Sequence, residues 1–341
     1  MSAATEVEVP AEFARALREL GLAGAGAIVG TPLTGGVSSD IWLIQTAQGP
    51  VCAKRALAKL RVAADWRAPI ERNRYEARWM RVACAAQEGC APRVLGQHPA
   101  LGVLVMDYLP PAAFALWKQR LRDGHADVAT AQEVGRVLGK IHAYSARRPE
   151  LAAEFDTDRI FLDIRLEPYL LATARRHPDL AARLEHLVDV TRSQRVALVH
   201  GDVSPKNILI GASGPVFLDA ECAWWGDPAF DIAFCLNHLL LKCLVRPGER
   251  RLLARSFSDF VDAYFAVAAF ESRADLEGRA ASLLPGLLLA RVDGKSPVEY
   301  LTDAGDREAV RAYARAHVAT PVHTLAELAA DWLAAPVAGP A

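Results

Sequence analysis

No stretch of 18 apolar residues in this chain is free of charge, so the sequence offers no membrane-spanning helix. Its six cysteines, Cys52, Cys84, Cys90, Cys222, Cys235 and Cys243, are scattered and include no Cys-x-x-Cys pair. That excludes the common zinc spacings and a disulfide framework, and it points to a reducing, cytoplasmic setting. An excess of either charge is missing as well. The formal net charge is −1, which leaves no basic surplus to hold nucleic acid and no acidic surplus for a polycationic partner. The first residues lack the basic start and apolar run of a signal peptide. The Gly-x-Ser-x-Gly elbow of α/β hydrolases is not met, because Gly211-Ala-Ser-Gly does not fit it. Nothing in the sequence fixes the oligomeric state.

What is present is a chain of 341 residues, 52% of them hydrophobic, long enough for two domains or one two-lobed unit with a substantial core. Pro10–Leu20 reads as a short amphipathic helix. Residues 28–33, 41–46 and 50–55 read as strands, and a Gly-rich turn joins the first two. A charged helix is expected over 68–86, then strands over 92–97 and 103–108, before Pro110-Pro111 breaks the pattern. Beyond it, helices are expected over 131–145 and 175–190, with short apolar strands at 197–200, 208–210 and 216–218. The run from Ala229 to Leu241 reads as a buried helix although it carries Asp231, Asn237 and His238. Strands followed by helices across one proline break predict an α+β fold: a β-rich lobe over 1–107 and a larger α-helical lobe over 108–341.

The sharpest signal is Leu198-Val-His-Gly-Asp-Val-Ser-Pro-Lys-Asn-Ile-Leu-Ile210. Asp202 and Asn207 stand five residues apart in a polar loop between apolar strands. Such a loop can aim Asp202 at a substrate hydroxyl while Asn207 offers its side-chain oxygen to a metal. Asp219, twelve residues on, ends another apolar strand and supplies a second hard-oxygen ligand suited to Mg²⁺. Phosphoryl transfer needs little more than a base or positioning group, metal ligands and cations for the phosphates. Lys54, at the end of the third strand, alternates onto the face of Cys52 and away from Val51 and Ala53. In the turn Gly35-Gly36-Val-Ser-Ser-Asp40 the glycines let backbone approach a phosphate, and Ser38 or Ser39 can donate to it. A plain hairpin needs the same glycines.

The His-Gly-Asp loop resembles that of the aminoglycoside phosphotransferase and choline kinase superfamily, which shares the protein-kinase-like fold. His-Gly-Asp replaces the His-Arg-Asp of protein kinases, and Asp219-Ala-Glu replaces Asp-Phe-Gly. The resemblance implies an ATP-dependent, Mg²⁺-dependent kinase for a hydroxyl of a small metabolite or antibiotic. It makes Asp202 the catalytic base, Asn207 and Asp219 the metal ligands, His200 a support for the loop and Lys54 the grip on the α- and β-phosphates. Glu76 is the implied helix partner of Lys54, with Glu71 the alternative. Met106, Asp107 and Tyr108 fall at the hinge that pairs with adenine, and Asp231 anchors the catalytic loop.

Only eleven residues separate Asp219 from Asp231, short for a segment that docks peptides, so the acceptor is a small molecule. The Asp-x-Glu and Phe-Asp-Ile patterns are more similar to methylthioribose kinase than to choline kinase. Glu221 therefore either touches the acceptor or a metal, or is a surface glutamate. Arg291, Asp293 and Lys295 form a polar, turn-rich patch that either reads the acceptor or is an ordinary helix connection. From Ile232 onward, 12 basic residues face 13 acidic ones, which gives a polycationic acceptor no support. The competing expectation is a non-catalytic pseudokinase that binds nucleotide. It requires a missing base, metal ligand or lysine, whereas Lys54, Asp202, Asn207 and Asp219 are all present.

Overall fold

The computed structural model describes residues 6–33, 39–57, 59 and 69–335. Its first third is a six-stranded antiparallel sheet of order β1-β2-β3-β4-β6-β5. The strands are β1 (Val7–Glu8), β2 (Val29–Pro32), β3 (Ser39–Thr46), β4 (Gly49–Ala56), β5 (Val94–His98) and β6 (Val103–Asp107). Alternation decides what each face meets. On one side Ile44, Val51, Ala53, Val103 and Val105 bury against Phe13, Ala16 and Leu17 of helix α1 (Ala11–Glu19). On the other, Leu104 and Met106 join Ala77 and Met80 of helix α2 (Arg72–Ala86) in the larger core of the molecule. Lys54 has the parity of the second face, so the sheet delivers its side chain to α2.

The remainder is helical: α3 (Trp117–Arg122), α4 (Val128–Ala146), α5 (Asp158–Phe161), α6 (Ala172–Arg176), α7 (Ala181–Ser193), α8 (Ala229–Val245), α9 (Arg250–Phe265), α10 (Arg273–Asp293), α11 (Ala304–Ala319) and α12 (Leu325–Ala334). Asp127 starts α4 by accepting from the Ala129 amide at 3.0 Å, and a reciprocal Thr324–Glu327 box starts α12. Gly135 and Gly139 let α4 lie directly on α9, since a Cβ at either would collide with the backbone of Phe260 or Tyr264. Helix α8 is buried around nearly its whole circumference and forms the axis of this lobe.

Short strands are let into the helical lobe. Strand β7 (Ala115–Leu116) pairs with β9 (Ile208–Gly211), which pairs with β10 (Gly214–Phe217), and β8 (Ala197–Val199) pairs with β11 (Trp224–Gly226). These two antiparallel units fix both ends of the polar loop 200–207. The expected α+β division is present. The helix expected over 175–190 is two helices, because Pro178 has no amide to donate and interrupts the ladder between α6 and α7. Leu162–Leu171, with Pro168 inside it, is wound as a π-helix. No helix among the described residues is long and apolar enough to cross a membrane, and all six cysteines are free.

Candidate active site

The loop after β8 is held by buried hydrogen bonds. Asp231, in the first turn of α8, accepts from the backbone amides of His200 at 2.7 Å and Gly201 at 2.8 Å, and from His142 Nε2 at 3.2 Å. Tyr264 of α9 meets the other ring nitrogen of His142 at 2.8 Å. One carboxylate thus ties α8, α4 and the loop together. His200 is wholly buried, edge-on to Trp79 at 4.6 Å between centroids. Its Nε2 reaches the Leu218 carbonyl at 3.0 Å and its Nδ1 accepts from the Asp202 amide at 3.1 Å. That pattern requires the neutral ring, and burial holds its pKa below the ordinary value despite Asp231, Asp202 and Asp219 nearby. Gly201 has φ +80°, and a Cβ there would lie 2.7 Å from the Cys222 carbonyl oxygen, so only glycine fits between His200 and Asp202.

Asp202 is 4% exposed. Its Oδ2 lies 2.9 Å from Arg165 Nη2 and 3.1 Å from Lys206 Nζ. Burial alone would push its pKa up. The two cations outweigh burial and hold it below the usual carboxylate value. Arg165 comes from the π-helix and also donates to the Gly201 and Ile164 carbonyls. Asn207 donates from Nδ2 to the Asp202 carbonyl at 3.1 Å, which leaves Oδ1 available to a cation.

Asp219 is the one non-glycine residue with positive φ among the described residues, at +65°. A left-handed backbone costs an aspartate roughly 1–2 kcal/mol, and here it turns the carboxylate out of the end of β10. Asp219 forms an ion pair with Lys54 Nζ, which also reaches Glu76 Oε1 at 2.9 Å. Lys54 is 3% exposed and Glu76 1%. Asn73, one turn before Glu76 on α2, donates to the Lys54 carbonyl at 3.3 Å and docks the helix on the strand. Burial raises the Glu76 pKa to about 7, with Asp219 and Glu221 adding to it and Lys54 opposing. For Asp219 the attraction of Lys54 and Lys206 exceeds the burial penalty and lowers the pKa. Burial thus favours the neutral form of Glu76, while Lys54 and Lys206 favour the charged form of Asp219.

Among the described residues, no three His, Cys, Asp or Glu side chains form a metal cage. A magnesium ion shared with phosphates takes one or two carboxylates and keeps waters. Asp219 with Asn207 Oδ1 fits that demand. Ser39 Oγ, Ser204 Oγ and Glu76 Oε2 are buried without a hydrogen-bond partner among the described residues.

The other sequence candidates divide. Gly35, Gly36 and Ser38 lie outside the described residues, and Ser39 is the buried first residue of β3. Met106 lies in β6 opposite Cys52, and the Asp107 amide donates to the Arg93 carbonyl at 3.0 Å. Tyr108 follows the strand, half-buried. Glu71 ends one residue before α2, while Glu76 reaches Lys54. Glu221 is 6% exposed, not a surface group, and pairs with Arg72 Nε at 2.9 Å. Asp293 and Lys295 are both engaged in ion pairs within the helical lobe. Asp293 is occupied by Arg311 and His177, each at 2.8 Å, and Lys295 pairs with Glu167 at 2.8 Å on the surface. Arg291 donates to the Tyr169 hydroxyl at 3.2 Å. Arg165 was not legible in the sequence: a single arginine between Ile164 and Leu166 carries no spacing signal.

A model of the phosphotransferase enzyme family named APH matches residues 29–270. Methylthioribose kinase of Cronobacter sakazakii is 25% identical over 233 residues, 58% of this chain and 56% of that protein. Methylthioribose kinase of Erwinia tasmaniensis is 26% identical over 270 residues, 65% of each chain. The matched part of this chain thus spans less than two thirds of either relative. Among solved structures, the amicoumacin kinase hAmiN, in complex with AMP-PNP, Ca²⁺ and Ami, superposes with TM-score 0.58 at 14% identity, covering 92% of this chain and 96% of that one. That likeness is one of fold: the kinase-like, two-lobed α+β architecture.

Proposed function

From the membership of this chain in the phosphotransferase enzyme family, we propose that it transfers the γ-phosphate of ATP to a hydroxyl of a small molecule. The observation that carries this reading is Lys54, whose ammonium joins Glu76 of α2 to Asp219 of the segment after β10. A buried lysine bridging those two elements is what a triphosphate-binding cleft between a sheet and a catalytic loop requires.

The roles we assign are these. Lys54 contacts the α- and β-phosphates, and Glu76 keeps it extended. Asp107 and Tyr108, which follow Met106 at the end of β6, meet the adenine; of the residues expected to cover the phosphates, Gly35, Gly36 and Ser38 lie outside the described residues and Ser39 begins β3. Residues 1–107 form the nucleotide-phosphate lobe, and residues 108–341 hold the catalytic loop and the acceptor. Asp219 and Asn207 hold magnesium, which supplies charge neutralisation of the transferring phosphoryl group. Asp202 orients the acceptor hydroxyl and receives its proton as the new O–P bond forms and the bond to ADP breaks. Its low pKa makes it a weak base, which suits a loose transition state in which the proton leaves late. The free cysteines fit a reducing, cytoplasmic setting.

The test is ADP release with Mg·ATP across sugars, thiosugars, amino alcohols, hydroxy acids and aminoglycosides, in wild type, Asp202→Asn and Asp219→Ala. Asp202→Asn should bind nucleotide but lose turnover by about 10²–10⁴-fold, and Asp219→Ala should weaken Mg·ATP binding itself. Nucleotide binding without turnover on any acceptor would identify the pseudokinase alternative.

A further inference from the structure

From Asp202 a chain of contacts leads to a second cluster of polar and aromatic side chains. Arg165, which pairs with Asp202, lies 5.8 Å from the Phe234 ring centroid. Phe234 stands edge-on to Tyr169 at 5.5 Å and to His238 at 5.8 Å. Tyr169 accepts from Arg291 Nη1 at 3.2 Å, and His238 meets the Tyr300 hydroxyl at 3.2 Å. The Lys242 ammonium sits over the Tyr300 ring, 3.5 Å from its centroid. Phe234, His238 and Lys242 follow at four-residue spacing on α8, so one stripe of that helix carries this cluster.

Positive charge is in excess in this cluster, where Glu299, paired with Lys118, is the carboxylate that acts on Lys242 and Arg291. Arg291 is 8% exposed and Lys242 3%. Neither has a carboxylate within 4.0 Å among the described residues: Arg291 donates to Tyr169 and Ser296, and its Nε has no partner. A buried cation without a counter-ion is costly, and a protein retains it where something else supplies the charge. Nearby stand Lys206, about half exposed and paired with Asp202, and Lys118 of α3, which is paired with Glu299 and packs on the Pro205–Asn207 turn. Burial, then Arg291, Lys206, Lys242 and Lys118, depress the His238 pKa far below its usual value, so the imidazole stays neutral among them. Lys242 itself is lowered to about 8 by burial and by Lys118.

Resting on the kinase reading above, we propose that the acceptor is a hydroxyl-bearing organic anion, a carboxylate or a phosphate monoester, bound with its hydroxyl at Asp202 and its charge against Arg291 and Lys242. Its body lies against the rings of Phe234, Tyr169 and Tyr300. Polycations such as aminoglycosides are excluded by the same charges.

The test uses the full-length protein saturated with Mg·AMP-PNP, so that the nucleotide site is filled. Ribonate and ribose 5-phosphate are compared with ribitol, ribose and kanamycin by thermal shift and calorimetry. At least one anion should bind more tightly than its neutral counterpart, and kanamycin should not bind. Lys242→Met and Arg291→Met should each weaken the anion by roughly tenfold or more, the factor of one charge-assisted contact. Lys242→Met, which removes an uncompensated buried charge, should melt no lower than wild type without ligand, which a merely structural lysine would not allow. Neutral compounds binding as well as the anions, or anion binding that survives both substitutions, would overturn the proposal. Titration of AMP-PNP alone reads the other premise: no nucleotide binding, with anion binding intact, would remove the kinase reading and leave the anion pocket standing.

Discussion

Arg165 Nη2 and Asp202 Oδ2 are 2.9 Å apart, and the same guanidinium donates to the carbonyl of Gly201, so one side chain fixes both the carboxylate and the backbone that carries it. This pairing sets the protonation of Asp202. Burial favours the neutral acid, while Arg165 and Lys206 reverse that preference. In the wild type Asp202 is ionised throughout the range in which a kinase is assayed. In Arg165→Gln the largest favourable interaction is gone and burial dominates, so the pKa rises. The acidic limb of the kcat–pH profile should move upward in pH, into the measurable range, while activity at high pH is partly retained. A limb that stays where it is in the wild type would show that Arg165 does not tune Asp202.

Glu76 gives a stability prediction of opposite sign. Its pKa is raised from 4.5 to about 7. A carboxyl with a raised folded-state pKa binds more protons when folded than when unfolded. Its contribution is complete below its ordinary value and is lost as pH rises through the folded value. The nucleotide-free protein should therefore lose stability, on the order of 3 kcal/mol, between about pH 4.5 and pH 7. Glu76→Gln should flatten that part of the curve. Parallel melting-temperature profiles for the two proteins would count against the assignment.

Much of this site was legible because its chemistry is local in sequence. Asp202 and Asn207 share one loop, and Lys54 shows its face through strand alternation. The α+β division followed from where the strands cease. The parts that stayed hidden depend on tertiary placement. Arg165 sits on a π-helix whose i→i+5 register leaves no 3.6-residue pattern, with Pro168 obscuring the helix further. Lys242 reads as a charge at the end of an apolar run, and only the fold shows that it lies over Tyr300 rather than in water. For Asp293 and Lys295 the sequence leaves two readings open, because a polar turn between helices looks alike whether it faces a ligand or pairs internally. Pro178 was a visible break, but apolar periodicity on both sides of it concealed the interruption. Strands as short as β7 and β11 are defined by their partners rather than by their own residues.

Asp231 carries the last prediction, because the whole catalytic loop hangs from it. Its two oxygens accept from His200, Gly201 and His142, and it is fully buried. In Asp231→Asn one oxygen becomes an NH₂ group, which must face a backbone N–H donor and can satisfy neither itself nor its neighbour. Each buried donor left unpaired costs about 1–3 kcal/mol, so the variant should lose roughly 3 kcal/mol or more of stability by denaturant unfolding. The surviving folded protein should show a larger fall in kcat than rise in KM for ATP, since Lys54 and Glu76 do not depend on this loop while the aim of Asp202 does. His142→Ala, which removes only the longest of the three contacts, should reproduce a smaller part of both effects. An Asp231→Asn enzyme with wild-type stability and kcat would mean that the loop is held by its flanking strands, β8 with β11 and β9 with β10, and not by this carboxylate.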